Sequence, residues 1–376
     1  MGDARVLFQC LEEIEDPRRD INLRHRLHDI LVTTICAVIS GAEGWEEIAL
    51  FARTHENWFR TFLELPHGIP CGSTYGRVFA RLNPESCEKG FASWMETVQE
   101  HTRGRIIALD GKTLRRSFDH ASQKAAIHMV SAWTSENGVT LAQTAVDEKS
   151  NEITAFPKLL DMLVLDGAIV TIDAMGCQAE VAKKIVEKGA DYVLAVKENQ
   201  PQLHEDIVDF FPEGKRMSWE CLDMDEFETV DGEHGRIEKR KFYLAQDLDS
   251  IGKRERWPGL QGIGMVESKR VIGGKESFEK RYFIASFGKD VKSFGHAVRQ
   301  HWGIENSVHH ILDVTFDEDR CRKRTDHAAE NFAVVRHMAL NLLKNARTPK
   351  PMSLRRKRLQ VSWNREFLLQ ILMGTE

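Results

Sequence analysis

Two short apolar runs constrain this chain more than any other feature. RIIALD (105–110) and AIVTID (168–173) are almost continuously hydrophobic. They lack both the polar alternation of a half-solvated strand and the three-to-four spacing of a surface helix. Such runs belong to strands covered on both faces, as in sheets layered between helices. AIHMVSAWT (126–134), VTLAQTAV (139–146) and DYVLAVK (191–197) have the same strand character, the first two joined by the turn-like SENG. EITAFPKLLDMLV and CQAEVAKKIVEKG instead carry helical periodicity, and the second ends at Gly189, a normal helix-terminating glycine. The order strand, strand, strand, helix, strand, helix, strand predicts a mixed α/β sheet that opens with an antiparallel meander.

Residues 1–100 read differently. ILVTTICAVISG and WEEIALFARTHENWFRTFLEL are helical in pattern, followed by a Gly/Pro loop and the short helix STYGRVFARL with Ser73 as N-cap. Tyr75, Arg77 and Arg81 on that short helix are candidates to face a phosphate backbone, as in a helix-turn-helix-like module. The longest apolar stretch, residues 30–42, is too short and too interrupted by Thr and Ser to span a bilayer. With no leader-like pattern at the start, a cytoplasmic protein without a membrane partner is expected. Seven cysteines are scattered without a CxxC pair, which excludes a disulfide framework and a zinc site.

The two buried runs end alike, at Asp110 and at Asp173, each followed by small or turn residues. One aspartate in that position is ordinarily a turn former or a helix cap. Two, on what should be neighbouring strands, mark a sheet rim where ligands bind. A third carboxylate comes from VRQHWGIENSVHHILD (298–313). At helical spacing of about 100° per residue, Glu305 falls within the arc of Val298, Ile304, Val308 and Leu312. An inward carboxylate calls for a partner, and clustered carboxylates call for a hard divalent cation. Asp110, Asp173 and Glu305 are therefore the candidate ligands of Mg²⁺ or Mn²⁺. Two such ions clamp the attacking and leaving oxygens of a phosphoryl displacement.

Net charge is −5, which alone argues against nucleic acid, but its distribution argues otherwise. Residues 198–233 hold twelve Asp/Glu against two Lys/Arg, while residues 320–365 hold thirteen Lys/Arg against two Asp/Glu. Fields act over a Debye length of about 8–10 Å, so a basic segment can hold phosphates on an acidic protein. A solvated basic helix beside an acidic loop region would produce the same counts.

Ordered motifs along nearly the whole chain then resemble one family. DPRRDINLRHRLHDIL, GAEGWEEI, GIPCGSTYGRVF, IALDGKTLRRS, VTIDAMGCQ, YVLAVKENQP, HGRIEKR and HWGIENSVHHILDVTFDED look like the DDE transposases of bacterial insertion sequences. Within these they resemble the group of H-repeat-associated proteins of Rhs elements. The resemblance implies an RNase H-like catalytic domain with a five-stranded mixed sheet, and it assigns the catalytic triad to Asp110, Asp173 and Glu305 with two bound ions. It implies double-stranded DNA as partner, both terminal inverted repeats and target, and a homodimer on DNA in the bacterial nucleoid. Where broader relatives carry Tyr, Arg and Lys around the glutamate, this chain has Val298, His301 and Leu312. The expected organisation is a helical DNA-end-binding domain at 1–100, a catalytic domain at 101–199 and 288–345, a β-rich insertion at 200–287 and a basic tail helix at 346–376. Candidate DNA contacts are Arg77, Lys112, His234, Arg236, Arg240, Arg299, His301, Asn306, Arg322 and Arg324. For RIEKRKF, cross-strand pairing of its arginines around Glu238 is the competing expectation. Asp313, Asp317, Glu318 and Asp319 are expected to be solvated or paired with the basic stretch that follows.

Overall fold

The computed structural model describes residues 4–19, 23–98, 105–118, 125–146, 152–214, 224–233 and 236–373. Among them are strands β1 (Ile106–Thr113), β2 (His128–Thr134), β3 (Thr140–Val146), β4 (Ile169–Ile172), β5 (Asp191–Val196), β6 (Met224–Glu233), β7 (Arg236–Ala245), β8 (Gly262–Ile272) and β9 (Lys275–Ala285). Helices Glu152–Asp161 and Ala179–Glu187 fall between β3 and β4 and between β4 and β5, so the expected succession is present. The fold is mixed α/β with a helical N-terminal region, as expected. No described helix is long and apolar enough to cross a membrane.

The chain packs as two bodies that do not follow its order. The first comprises Met1–His101, Gly111–Leu163 and Glu305–Glu376, the second Thr102–Asp110 and Val164–Ile304.

The spine of the first body is the helix Ala328–Asn345, buried on every side over most of its length. An all-round buried helix must satisfy its polar side chains internally. Asn331 donates to the carbonyls of Phe79 and Leu82, at 2.9 and 3.0 Å. Asn341 accepts from the Thr140 amide at 3.0 Å and donates to the Thr140 carbonyl at 2.7 Å. Helices Leu27–Ile39, Gly72–Arg81 and Pro84–Val98 pack on this spine, so the N-terminal helices share one body with the last part of the chain. The N-cap of Gly72–Arg81 is Cys71, not Ser73, and a Cβ on Gly72 would meet the Glu46 carboxylate at 2.2 Å. The helix thus starts two residues earlier than the Ser73 cap signal.

In the second body the strand order is β1-β4-β5-β9-β8-β7-β6. β1, β4 and β5 run parallel, and every pairing from β5–β9 outward is antiparallel. The β-rich segment thus extends the same sheet, with β6 at its edge. β8 and β9 join through Gly273 and Gly274, both at positive φ, as a two-residue hairpin requires. Phe242, Val266 and Phe283 form the root of this extension and pack against Phe294 and Val298 of the helix Val291–His301.

Candidate active site

β1 and β4 pair in parallel with Leu109 opposite Ile172. Asp110 and Asp173 are the next residues on each strand, so the two carboxylates leave the sheet at the same level on adjacent strands. Neighbouring strands lie about 4.8 Å apart, so the two residues are near neighbours along the sheet. Both residues are part-buried. Asp173 also caps a short turn, its Oδ1 accepting from the amides of Met175 (3.1 Å) and Gly176 (3.3 Å). The helix-cap expectation is therefore met at this position.

The loop after Asp173 is held by residues that the sequence reading passed over. Asn199 donates to the Ala174 carbonyl at 2.5 Å, and Gln200 donates to the Cys177 carbonyl at 2.9 Å. Both come from KENQP, directly after β5, and a polar pair ending a buried strand was the available signal. His301, expected at DNA, bonds through Nδ1 to Thr171 Oγ1 at 3.0 Å, two residues before Asp173 on β4.

Glu305 belongs to the first body and does not point inward. Its side chain is 63 % exposed, while His309, whose Nδ1 lies 3.4 Å from Glu305 Oε2, is buried. The expectation of an inward glutamate fails because residues 298–313 are not one α-helix. The helix Val291–His301 ends, Glu305–His309 is a π turn, and a new helix runs His310–Thr315. A π turn holds more residues than an α turn, so the 100° spacing no longer applies. Val308 and Leu312 still reach the core while Glu305 is turned out. Asn306, on the same turn, is exposed.

In the first body, Gly111 lies against a buried pair, His128 and Glu152. His128 Nε2 contacts Glu152 Oε1, and His128 Nδ1 lies 2.9 Å from Thr113 Oγ1. A Cβ on Gly111 would meet His128 Nε2 at 2.2 Å and Glu152 Oε1 at 2.7 Å, so only glycine fits after Asp110. Sequence reasoning missed this pair; the one clue was a histidine inside an apolar strand run.

Lys112 has partners that the sequence did not reveal. Expected at DNA, it is bonded to Asp313 and, at 2.6 Å, to Glu318. Burial opposes its charge, but Glu318 and Asp313 outweigh that and hold its pKa above the ordinary lysine value. Glu318, expected to be solvated or paired with the basic stretch after Arg320, is 3 % exposed and lies 3.9 Å from Arg336 of that stretch. Burial pushes its pKa upward, yet Lys112 and Arg336 bring it below the ordinary range. Arg336 in turn reaches Glu43 at 3.1 Å, and Arg358 reaches Glu43 at 2.5 Å. Local charge runs cannot reveal that a carboxylate is matched by a lysine some two hundred positions away.

Of the other candidates, Arg77, Arg322 and Arg324 line a groove of about 740 Å³ together with Arg81, Arg320 and Trp45. Arg77 and Arg81 also line a second groove with Arg18, Arg19 and Arg24. Arg324 stacks on Phe118 at 4.7 Å. Tyr75 does not join them: it is fully buried, its hydroxyl 2.9 Å from Thr33 Oγ1. In the second body, Arg236 and Arg240 pair with the buried Glu238, and Arg240 and Arg299 pair with Asp231 at 2.6 and 2.8 Å. The cross-strand pairing expected for RIEKRKF is thus present. His234 lies outside the described residues.

The donor set suits a hard divalent cation. Asp110 and Asp173 offer carboxylate oxygens, the donors that such an ion takes.

Comparison with known proteins agrees in kind. Residues 101–342 match the family model described as transposase DDE domain, and residues 8–95 match the one described as DDE_Tnp_1-associated. The chain is 41% identical to "Putative transposase YncI" of Escherichia coli O157:H7, over 97% of this chain and 94% of that one. It is 38% identical to "H repeat-associated putative transposase YhhI" of E. coli K12, over 99% of both chains. A shorter relative, "Inactive transposase YbfQ" of E. coli K12, is 39% identical over 21% of this chain and 94% of its own.

Proposed function

The chain belongs to the DDE transposase family, and on that premise we propose that it cuts DNA at the ends of an insertion element and joins the freed ends to target DNA. The observation that carries this is the register-matched pair, Asp110 and Asp173, each directly after the last paired residue, Leu109 or Ile172, of two adjacent parallel strands. Asp110 and Asp173 act with Glu305 to hold two divalent ions, Mg²⁺ or Mn²⁺. When bound, such ions neutralise the clustered carboxylates and supply charge stabilisation for an in-line attack on the phosphodiester. His309 orients the exposed Glu305 carboxylate through its Nδ1. Asn199 and Gln200 fix the loop that follows Asp173, and Gly111 lets the buried His128–Glu152 pair support the strand that follows Asp110. Placement of this kind is what a displacement with no covalent protein intermediate requires of the protein.

The substrate is duplex DNA, both element ends and target. Arg77, Arg322 and Arg324 in the first body contact backbone phosphates, as do Arg299 and Asn306. Joining two ends calls for two copies of the chain on DNA.

The test is metal-dependent nicking of a labelled duplex carrying the element end, with wild type beside Glu305→Gln and Asp173→Asn. Nicking lost in both variants with DNA binding retained supports the reading. Nicking that persists in Glu305→Gln removes Glu305 from the catalytic set. Binding without nicking by any form, including wild type, favours a DNA-binding descendant that no longer cuts.

A further inference from the structure

The four outer strands form an antiparallel ribbon whose two faces carry different cations. Residues opposite one another across an antiparallel pair share a face, and the pairs Glu238–Arg270, Arg240–Thr229, Asp231–Glu238 and Val266–Arg281 define one of them. All four arginines on these strands, 236, 240, 270 and 281, stand on this face, and Arg299 reaches it from the helix that covers the ribbon's root. Lys239, Lys241, Lys269 and Lys280 stand on the opposite face, paired with Glu228, Glu276 and Glu267. Only Lys275, beside the terminal turn, shares the arginine side.

Arginine and lysine are not equivalent here. A guanidinium offers five donors in a rigid fork that matches two phosphate oxygens at once, whereas an ammonium is a point charge. The arginine face is also organised from beneath. Glu238, 4 % exposed, binds Arg236, Arg240 at 2.7 Å and Arg270 at 3.2 Å. Asp231 bridges Arg240 and Arg299, and Glu279 holds Arg281, which also stacks over the exposed Trp302 at 4.8 Å. Arg236, Arg240, Arg270 and Arg299 crowd around two carboxylates, leaving a local excess of positive charge. Burial first, and then the Arg299 charge, lower the pKa of Arg240, the sign of a cluster that a further anion would relieve.

We propose that the arginine face of the ribbon is a duplex-binding surface that takes successive backbone phosphates, with Glu238 as its positioning residue and the lysine face turned away from DNA. The proposal rests on the reading of the chain as a DNA transposase and adds to it Arg270, Arg281, Glu238 and the sidedness of the contact. Bound phosphates would take over the donors that Asp231 shares with Arg240 and Arg299.

The experiment is fluorescence anisotropy of the full chain on a labelled element-end duplex, repeated from about 50 to 200 mM salt. Each lost phosphate contact lowers the salt slope by about 0.9. Arg240→Ala/Arg270→Ala should lower it by about 2, and Lys269→Ala/Lys280→Ala should leave it unchanged. Glu238→Gln makes the protein more positive, so unspecific attraction predicts tighter binding; the organising role predicts binding weaker by several fold. If a buried variant loses its thermal transition, the surface pair Arg281→Ala/Arg299→Ala carries the same comparison. Equal losses from both faces, or tighter binding by Glu238→Gln, overturn the sidedness while leaving DNA binding intact. Failure of the wild type to bind any duplex overturns both readings.

Discussion

Lys112 offers the sharpest separation between a structural and a DNA-contacting role. Lys112→Met removes an amine that is only 13 % exposed and leaves the buried Glu318 facing Arg336 alone, at 3.9 Å. Removing one partner of a buried pair costs about 3–5 kcal/mol, because the other charge remains desolvated. For a body of about 150–250 residues, each kcal/mol lowers the melting temperature by roughly 2–4 °C, so a drop of about 6–20 °C is expected. The double variant Lys112→Met/Glu318→Gln should lose less than the sum of the singles, with a coupling of about 1–3 kcal/mol. Glu318 lies below its ordinary pKa of 4.5 and Lys112 above its ordinary 10.5, so the pair's contribution is fully present between those values. It is lost as pH falls through the folded value of Glu318 or rises through that of Lys112. Calorimetry of the three variants, with DNA titrations at two salt concentrations, tests this directly. A Lys112→Met protein that melts like wild type but shows a salt slope shallower by about 0.9 would refute the reasoning and return Lys112 to the phosphate backbone.

Further outcomes follow from the same geometry. Gly111→Ala should cost about 1–3 kcal/mol in urea unfolding, since its Cβ meets the His128–Glu152 pair at 2.2 Å, and it should reduce nicking more than DNA binding. Burial raises the pKa of Glu88 to about 7, so its charged form opposes folding as pH rises above the ordinary 4.5. Glu88→Gln should therefore match wild type near pH 4 and exceed it at pH 8 by on the order of 2–3 kcal/mol, read from denaturation at both values. Asn199→Ala loses the 2.5 Å bond to Ala174 and should lower the nicking rate with the duplex affinity unchanged. Tyr75→Phe removes the buried bond to Thr33 at a cost of about 1 kcal/mol without altering DNA affinity, the opposite of what a phosphate-facing tyrosine would do.

What the sequence made legible depended on how far apart the partners lie. Asp110 and Asp173 were readable because each ends an apolar run, and hydrophobic continuity is a local signal. The hairpin at Gly273–Gly274 is local in the same sense, since turn geometry is set by two adjacent residues. Glu305 was found through the resemblance and through a periodicity argument that assumed one uninterrupted helix; the π turn invalidates the periodicity and leaves the residue exposed. Tyr75 was misplaced, and the ion pair of Lys112 was not foreseen, because their partners come from distant segments: Thr33 and Asp313. The His128–Glu152 pair was missed because neither residue differs locally from an ordinary strand histidine or a helix-opening glutamate.

The acidic stretch counted at 198–233 acquires a different meaning once β6 is seen at the margin of the sheet. An edge strand offers a row of main-chain donors and acceptors to any other extended chain, the usual seed of aggregation. Here that margin carries Asp225, Glu226, Glu228 and Asp231, the first three exposed. A second copy adding its own β6 would set carboxylate against carboxylate along the whole seam, and the DNA backbone would be turned aside by the same charges. The strand thus keeps the sheet finite and leaves the guanidinium side as the route of approach for a polyanion. Neutralising these carboxylates should produce strand-to-strand self-association well before it disturbs the fold.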